Sequence, residues 1–242
     1  KLGYAYEKKQ YHDISLMSDG GVHLELHHSI KENKANIDAL LSECWDYATV
    51  LDGYECEFTN EFFYFHQIAH ASYHFLHGGC GVRPILDLYL LQRKMPFDST
   101  VLDEMLERSG IKKFFDAAKA LSEVWFGGSE HSDVTRRMED YLLRGGVYGS
   151  TANSMAVGQQ KEKGRLGYII NRIWLPYELL CITYPRLKGR KYLQLFYEIK
   201  RWFRIFNPEA RKHKRHDLDT IKKLSAKHKS DVNCMLNELG LM

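Results

Sequence analysis

Between Phe62 and Leu91 the apolar positions recur with a helical period, and this stretch organises the rest of the chain: FFYFHQIAHASYHFLHGGCGVRPILDLYLL. At ~100° per residue, Tyr64, Phe65, Ile68, Ala71, Phe75 and Leu76 fall on one side of the helix. His66, His70, His74 and His77 gather within about 80° of arc on the other. The pattern predicts one packing face and one row of imidazoles. Thr59-Asn60-Glu61 supplies a cap at the start, and Gly78-Gly79 a stop, since glycine takes the left-handed terminal conformation at little steric cost. After a tight connection over Cys80 to Val82, Pro84 suits the first turn of a second helix, across whose start Arg83 and Asp87 stand four apart.

Upstream, the pattern changes period. Tyr11 to Met17 alternates loosely, Ser18-Asp19-Gly20-Gly21 reads as a hairpin turn, and Val22 to His27 alternates strictly. Val22, Leu24 and Leu26 take one side of that strand, and His23, Glu25 and His27 the other. Two readings fit: a half-exposed strand with its polar side in water, or a carboxylate held rigidly as metal ligand or general base. Ile30 to Val50 reads as helix, with Ile37, Leu40, Leu41 and Trp45 in one buried stripe, and Leu51 to Thr59 as a connection.

Downstream, helices are predicted over Thr100 to Ser109, Ile111 to Phe126 and Val134 to Leu143, the second with Phe114, Phe115, Ala118, Leu121 and Trp125 inward. Gly145 to Gly158, rich in glycine and serine, reads as a mobile surface loop, and it lacks the spacing of a P-loop. Lys161 to Phe206 reads as two or three amphipathic helices broken at Pro176, Pro185 and Gly189. Their cationic side is either solvated, or suited to an anionic membrane or a phosphorylated substrate. From Ala210 a basic final helix is expected, on which Asp217 and Asp219 would point ~200° apart and could not share an ion.

Composition narrows the class. The 242 residues are 44% hydrophobic and 27% charged, ordinary for a soluble globular chain with ample length for a core. A net charge of +3 gives no argument for nucleic acid. Cys44, Cys56, Cys80, Cys181 and Cys234 are odd in number and contain no CxxC pair, which predicts buried, reduced thiols in a cytoplasmic protein. No apolar run reaches the length of a membrane span.

The histidine row admits four roles: hydrogen-bonded helix junction, zinc site, anion site with Arg83, or general base. The first is the commonest fate of histidines in helical domains. Zinc would need a third ligand and the row lacks the glutamate of HExxH.

Three segments together resemble the uncharacterised nucleotidyltransferase family: VHLELHHSI (Val22 to Ile30), HQIAHASYHFLHGGCGVRPILDLYLL (His66 to Leu91), and the aromatic-basic block from Arg172 to Phe206. That family looks like a branch of the polymerase-beta-type superfamily, found in bacterial genomes, often near polysaccharide or peptide-product genes. The resemblance implies a glycine-serine turn, two alternating carboxylates on a strand, and a third on a later strand. These hold magnesium against a nucleoside triphosphate. The third carboxylate maps onto Glu25, as catalytic group and metal ligand. His66, His70, His74, Arg83 and Asp87 would then face nucleotide or acceptor.

Nothing before Glu25 supplies the turn or the paired carboxylates; Asp13 and Asp19 lack the alternation. With a start at Lys1, the chain reads as a fragment or a degenerate member, and magnesium is expected only with the missing carboxylates. The expectation is an α+β, mostly α protein. Residues 1–30 would form a small antiparallel sheet remnant, 31–206 a helical domain and 207–242 a basic tail. Its function would be transfer of a nucleoside monophosphate to an acceptor of unknown identity. The rivals are a non-catalytic nucleotide- or substrate-binding module and a peripheral membrane scaffold.

Overall fold

A computed structural model describes residues 3–9, 13–32, 34–146, 149–161, 173–177, 180–181, 184–203 and 226–242. The fold is α+β and mostly α, with a small antiparallel sheet at the N-terminus. The described residues fall into two compact units: residues 3–31 with 173–203, and residues 32–161 with 226–242.

In the first unit, β1 (Tyr4–Lys9), β2 (Asp13–Ser18) and β3 (His23–His27) form an antiparallel meander with β2 in the centre. The β2–β3 turn is closed by Gly21, at φ 80°, donating to the Ser18 carbonyl, while the Ser18 hydroxyl accepts from the Val22 amide. Pairing of Ile14 with Leu26, Leu16 with Leu24 and Tyr6 with Leu16 gathers the apolar side chains on one face. That face is open, Leu26 being 51% exposed, whereas Asp13 and Ser15 on the opposite face are buried. The strand is therefore exposed on both of its sides, and the polar side of its neighbour β2 is the covered one.

The same inversion occurs in α8 (Gln194–Phe203), where Glu198 is fully buried while Leu195, Phe196, Ile199 and Phe203 are exposed. Burial of Glu198 is supported by hydrogen bonds. One carboxylate oxygen accepts from the Leu175 amide at 2.6 Å and the other from Arg201 Nε at 2.8 Å. The basic run from Ala210, with Asp217 and Asp219, and much of the block from Lys161 lie outside the described residues.

The second unit is built on α2 (Asn60–Leu76), the helix that the apolar period predicts. Thr59 caps it, its hydroxyl accepting from the Phe62 amide. Phe62, Tyr64, Phe65, Ile68 and Phe75 are all buried completely. Phe75 packs on Phe114 of α5 (Lys112–Ser122) and Tyr141 of α6 (Asp133–Gly145), with ring centroids 5.3 and 4.7 Å apart. Tyr64 meets Phe115 edge-on at 5.8 Å. α3 (Arg83–Lys94) and α4 (Ser99–Ser109) complete the surround.

Three expectations need correction. The helix over Ile30 to Val50 is only α1 (Ala35–Leu41), followed by a 3₁₀ turn and a hairpin, β4 (Ala48–Asp52) and β5 (Glu55–Phe58). Trp45 is consequently 73% exposed instead of lying in the stripe. The Gly145–Gly158 loop is largely α7 (Thr151–Lys161), whose Asn153, Met155, Ala156 and Val157 are buried. Of the five thiols only Cys80 is buried; Cys56 and Cys234 are exposed. Burial pushes the Cys80 thiol up to about 12, so it stays protonated and unreactive at neutral pH.

Candidate functional site

Glu25 sits mid-strand on β3, directly opposite Ser15 of β2. Alternation puts Glu25 on the same face as His23, His27, Asp13 and Ser15. His23 Nδ1 lies 3.9 Å from one Glu25 oxygen and His27 Nε2 3.7 Å from the other, and Glu7 approaches His23 at 3.8 Å. These are open, solvated pairs of small energetic weight. Asp13, which the sequence reading sets aside for lack of alternation, shares the face with Glu25 from the neighbouring strand, and Ser15 donates to it at 3.5 Å.

Along α2 the imidazoles stand on the exposed side. His66 and His70 stack with centroids 6.3 Å apart, and His70 and His74 meet edge-on at 4.4 Å. The closest approach is Nε2 of His70 to Nε2 of His74, at 3.1 Å. On its other side, His70 Nδ1 lies 2.7 Å from an oxygen of Glu32, whose carboxylate is largely shielded from solvent. His77 donates from Nδ1 to the Tyr73 carbonyl at 2.7 Å. Arg83 and Asp87 occupy the first turn and a half of α3, Arg83 exposed and Asp87 half-buried, with no ion pair between them.

Burial, and after it the neighbouring His70 ring, pushes His74 below its ordinary value; Glu32 pulls the other way and His77 adds to the lowering. Burial first and then the Glu32 charge raise Tyr73. In the unfolded chain His74 titrates near 6.5, while the folded protein takes up that proton only at lower pH. Between the two the unfolded state holds more protons, so stability falls as pH drops through that window. Denaturation midpoints at roughly pH 7.5 and 5.5 should fall with acid, and His74→Gln should reduce the difference.

Beneath Glu32, a cavity of about 310 Å³ is lined by Glu32, Lys34, Tyr73, His77 and apolar residues including Ile37 and Leu241. Glu32 is the residue sequence reasoning missed. It stands 38 positions before His70, in a stretch without periodicity, and no local spacing could have joined the two.

The sequence profile described as "Uncharacterised nucleotidyltransferase" matches residues 1–127, more than half of the chain. The chain belongs to the uncharacterised nucleotidyltransferase family. No curated protein and no solved structure matches it. The span shared with the nucleotidyltransferase family contains Glu25, Glu32, the whole histidine row, Arg83 and Asp87. Among the described residues, no group of three or more His, Cys, Asp or Glu side chains is arranged to hold a metal ion. Magnesium demands near-octahedral oxygen ligands, and Glu25 between two imidazoles does not meet that demand.

Proposed function

We propose that this nucleotidyltransferase-family chain contributes to transfer of a nucleoside monophosphate from a nucleoside triphosphate to an acceptor hydroxyl or phosphate. The observation that supports this most is Glu25, held mid-strand within the family-matched span on the face that also bears Asp13. A strand fixes a carboxylate better than a loop does, as transfer chemistry needs. Since the described residues around Glu25 offer no oxygen ligand set suited to magnesium, transfer would depend on carboxylates additional to it. The chain alone is expected to bind nucleotide without transferring it. A bacterial cytoplasmic setting and an acceptor from polysaccharide or peptide-product chemistry belong to the same proposal. Titration of ATP, CTP, GTP and UTP with magnesium into wild type and Glu25→Ala tests it: affinity should fall ~10-fold in the variant, about 1.4 kcal/mol.

The inverted helix α8 supports a second reading, peripheral membrane contact. Leu195, Phe196 and Ile199 are exposed beside Lys200, with Arg190 and Lys191 just before the helix. Such a face suits an anionic lipid surface. Co-sedimentation with phosphatidylserine vesicles, lost in high salt and in Leu195→Glu/Phe196→Glu, would support this reading; equal sedimentation with phosphatidylcholine would contradict it.

A further inference from the structure

Hydrogen-bond partners fix where the protons of the histidine row must sit. Ionised Glu32 can only accept, so His70 donates to it through Nδ1. In neutral His70 the other nitrogen, Nε2, then carries a lone pair. His74 Nε2, 3.1 Å away, must be the donor of that bond, which leaves the Nδ1 of His74 as a lone pair. No hydrogen bond to His74 Nδ1 forms among the described residues. His77, donating through its own Nδ1 to Tyr73, likewise keeps Nε2 as an acceptor when neutral. Uncharged, this surface therefore offers acceptors where a phosphate would need donors.

We propose that Glu32, His70 and His74 form a proton relay whose accepting atom is His74 Nδ1, and that the group it takes is a hydroxyl rather than a phosphate oxygen. The inference rests on the transfer reading and names the handling of the acceptor within it. The acceptor O–H gives its proton to His74 Nδ1. The proton on His74 Nε2 passes to His70 Nε2, and the resulting imidazolium is held against the Glu32 carboxylate. The freed oxygen forms its bond to the α-phosphorus as the bond from that phosphorus to pyrophosphate breaks. Protonation thus turns the outward nitrogen of His74 from acceptor to donor. Glu32 acts as a positioning residue, the carboxylate that orients the base. The other groups facing the relay are His66 and Tyr73 from α2, His77 at its C-terminal cap, and Lys34 beside Glu32.

The test is nitrogen-15 NMR of histidine-labelled full chain at about pH 8, with wild type, Glu32→Gln and His70→Gln. The relay requires wild-type His70 protonated on Nδ1 and His74 on Nε2. Glu32→Gln should scramble these tautomers and lower the His74 titration, and His70→Gln should raise it, with retained near-UV circular dichroism excluding unfolding. Wild-type His74 protonated on Nδ1, or tautomers indifferent to Glu32→Gln, would overturn the relay. Inorganic tripolyphosphate at the same pH should leave both rings unmoved; saturable shifts at His74 would overturn the hydroxyl assignment. Each outcome is read without nucleotide, so the relay can fail while nucleotide binding at Glu25 succeeds.

Discussion

Replacing Gly78 or Gly149 by alanine is expected to cost more stability than truncating any surface residue of the protein, with each variant unfolding at markedly lower denaturant. The turn after α2 and the loop after α6 meet backbone to backbone, with the Ser150 amide donating to the Gly78 carbonyl at 3.0 Å. A Cβ on Gly78 would stand 2.8 Å from the Ser150 carbonyl oxygen, and one on Gly149 would stand 2.8 Å from the Gly78 carbonyl carbon. Neither obstacle is a flexible side-chain end, so the two segments must separate. Both glycines also hold φ in the left-handed region, +122° and +80°, where a side chain adds strain. Overpacking and strain together put the loss at ~3 kcal/mol or more. Gly53→Ala in the β4–β5 hairpin, where a Cβ meets nothing, supplies the comparison: conformational strain without the clash, and a smaller loss.

Asn153→Ala is expected to weaken the same junction from its polar side. Asn153 is buried in α7, and its amide nitrogen donates to the carbonyls of Gly78 and Tyr141, each at 3.2 Å. Its oxygen accepts from His228 Nε2 of α9 (Ala226–Glu238) at 3.0 Å. Alanine removes all three bonds and leaves the Tyr141 carbonyl inside the protein without that donor. Unsatisfied buried groups cost ~1–3 kcal/mol each, so the total should reach ~2–4 kcal/mol by chemical denaturation. Asn153→Asp, which keeps an acceptor for His228 but loses both donor bonds, should recover little of it. A loss under ~0.5 kcal/mol in the alanine variant would contradict this role.

The sequence disclosed what a single helix can disclose. The period of α2, its Thr59 cap and its Gly78 stop are local, and the structure has each of them. Helix α7 was illegible because small, polar Thr151-Ala152-Asn153-Ser154 carries no apolar period, and its burial depends on partners far along the chain. The β4–β5 hairpin does carry a local signal: Asp52 ends the first strand, Gly53-Tyr54 is the two-residue loop with Gly53 at φ 53°, and the β-branched Thr49 and Val50 precede it. The stripe through Ile37, Leu40 and Leu41 keeps its period out to Trp45, which hid the end of α1 at Leu41. At the candidate site, Glu25 and the histidine row stood out by alternation and by helical spacing. Glu32 did not, because a carboxylate that meets its imidazole across 38 residues leaves no local trace.

The measurement that bears most directly on the nucleotide reading is calorimetric titration of the four magnesium nucleoside triphosphates into wild type, Glu25→Ala and, as a control carboxylate on the other hairpin, Glu55→Ala. Saturable binding of at least one nucleotide, ~10-fold weaker in Glu25→Ala and unchanged in Glu55→Ala, is the expected result. No saturable heat with any nucleotide, or equal affinity in all three proteins, would contradict it.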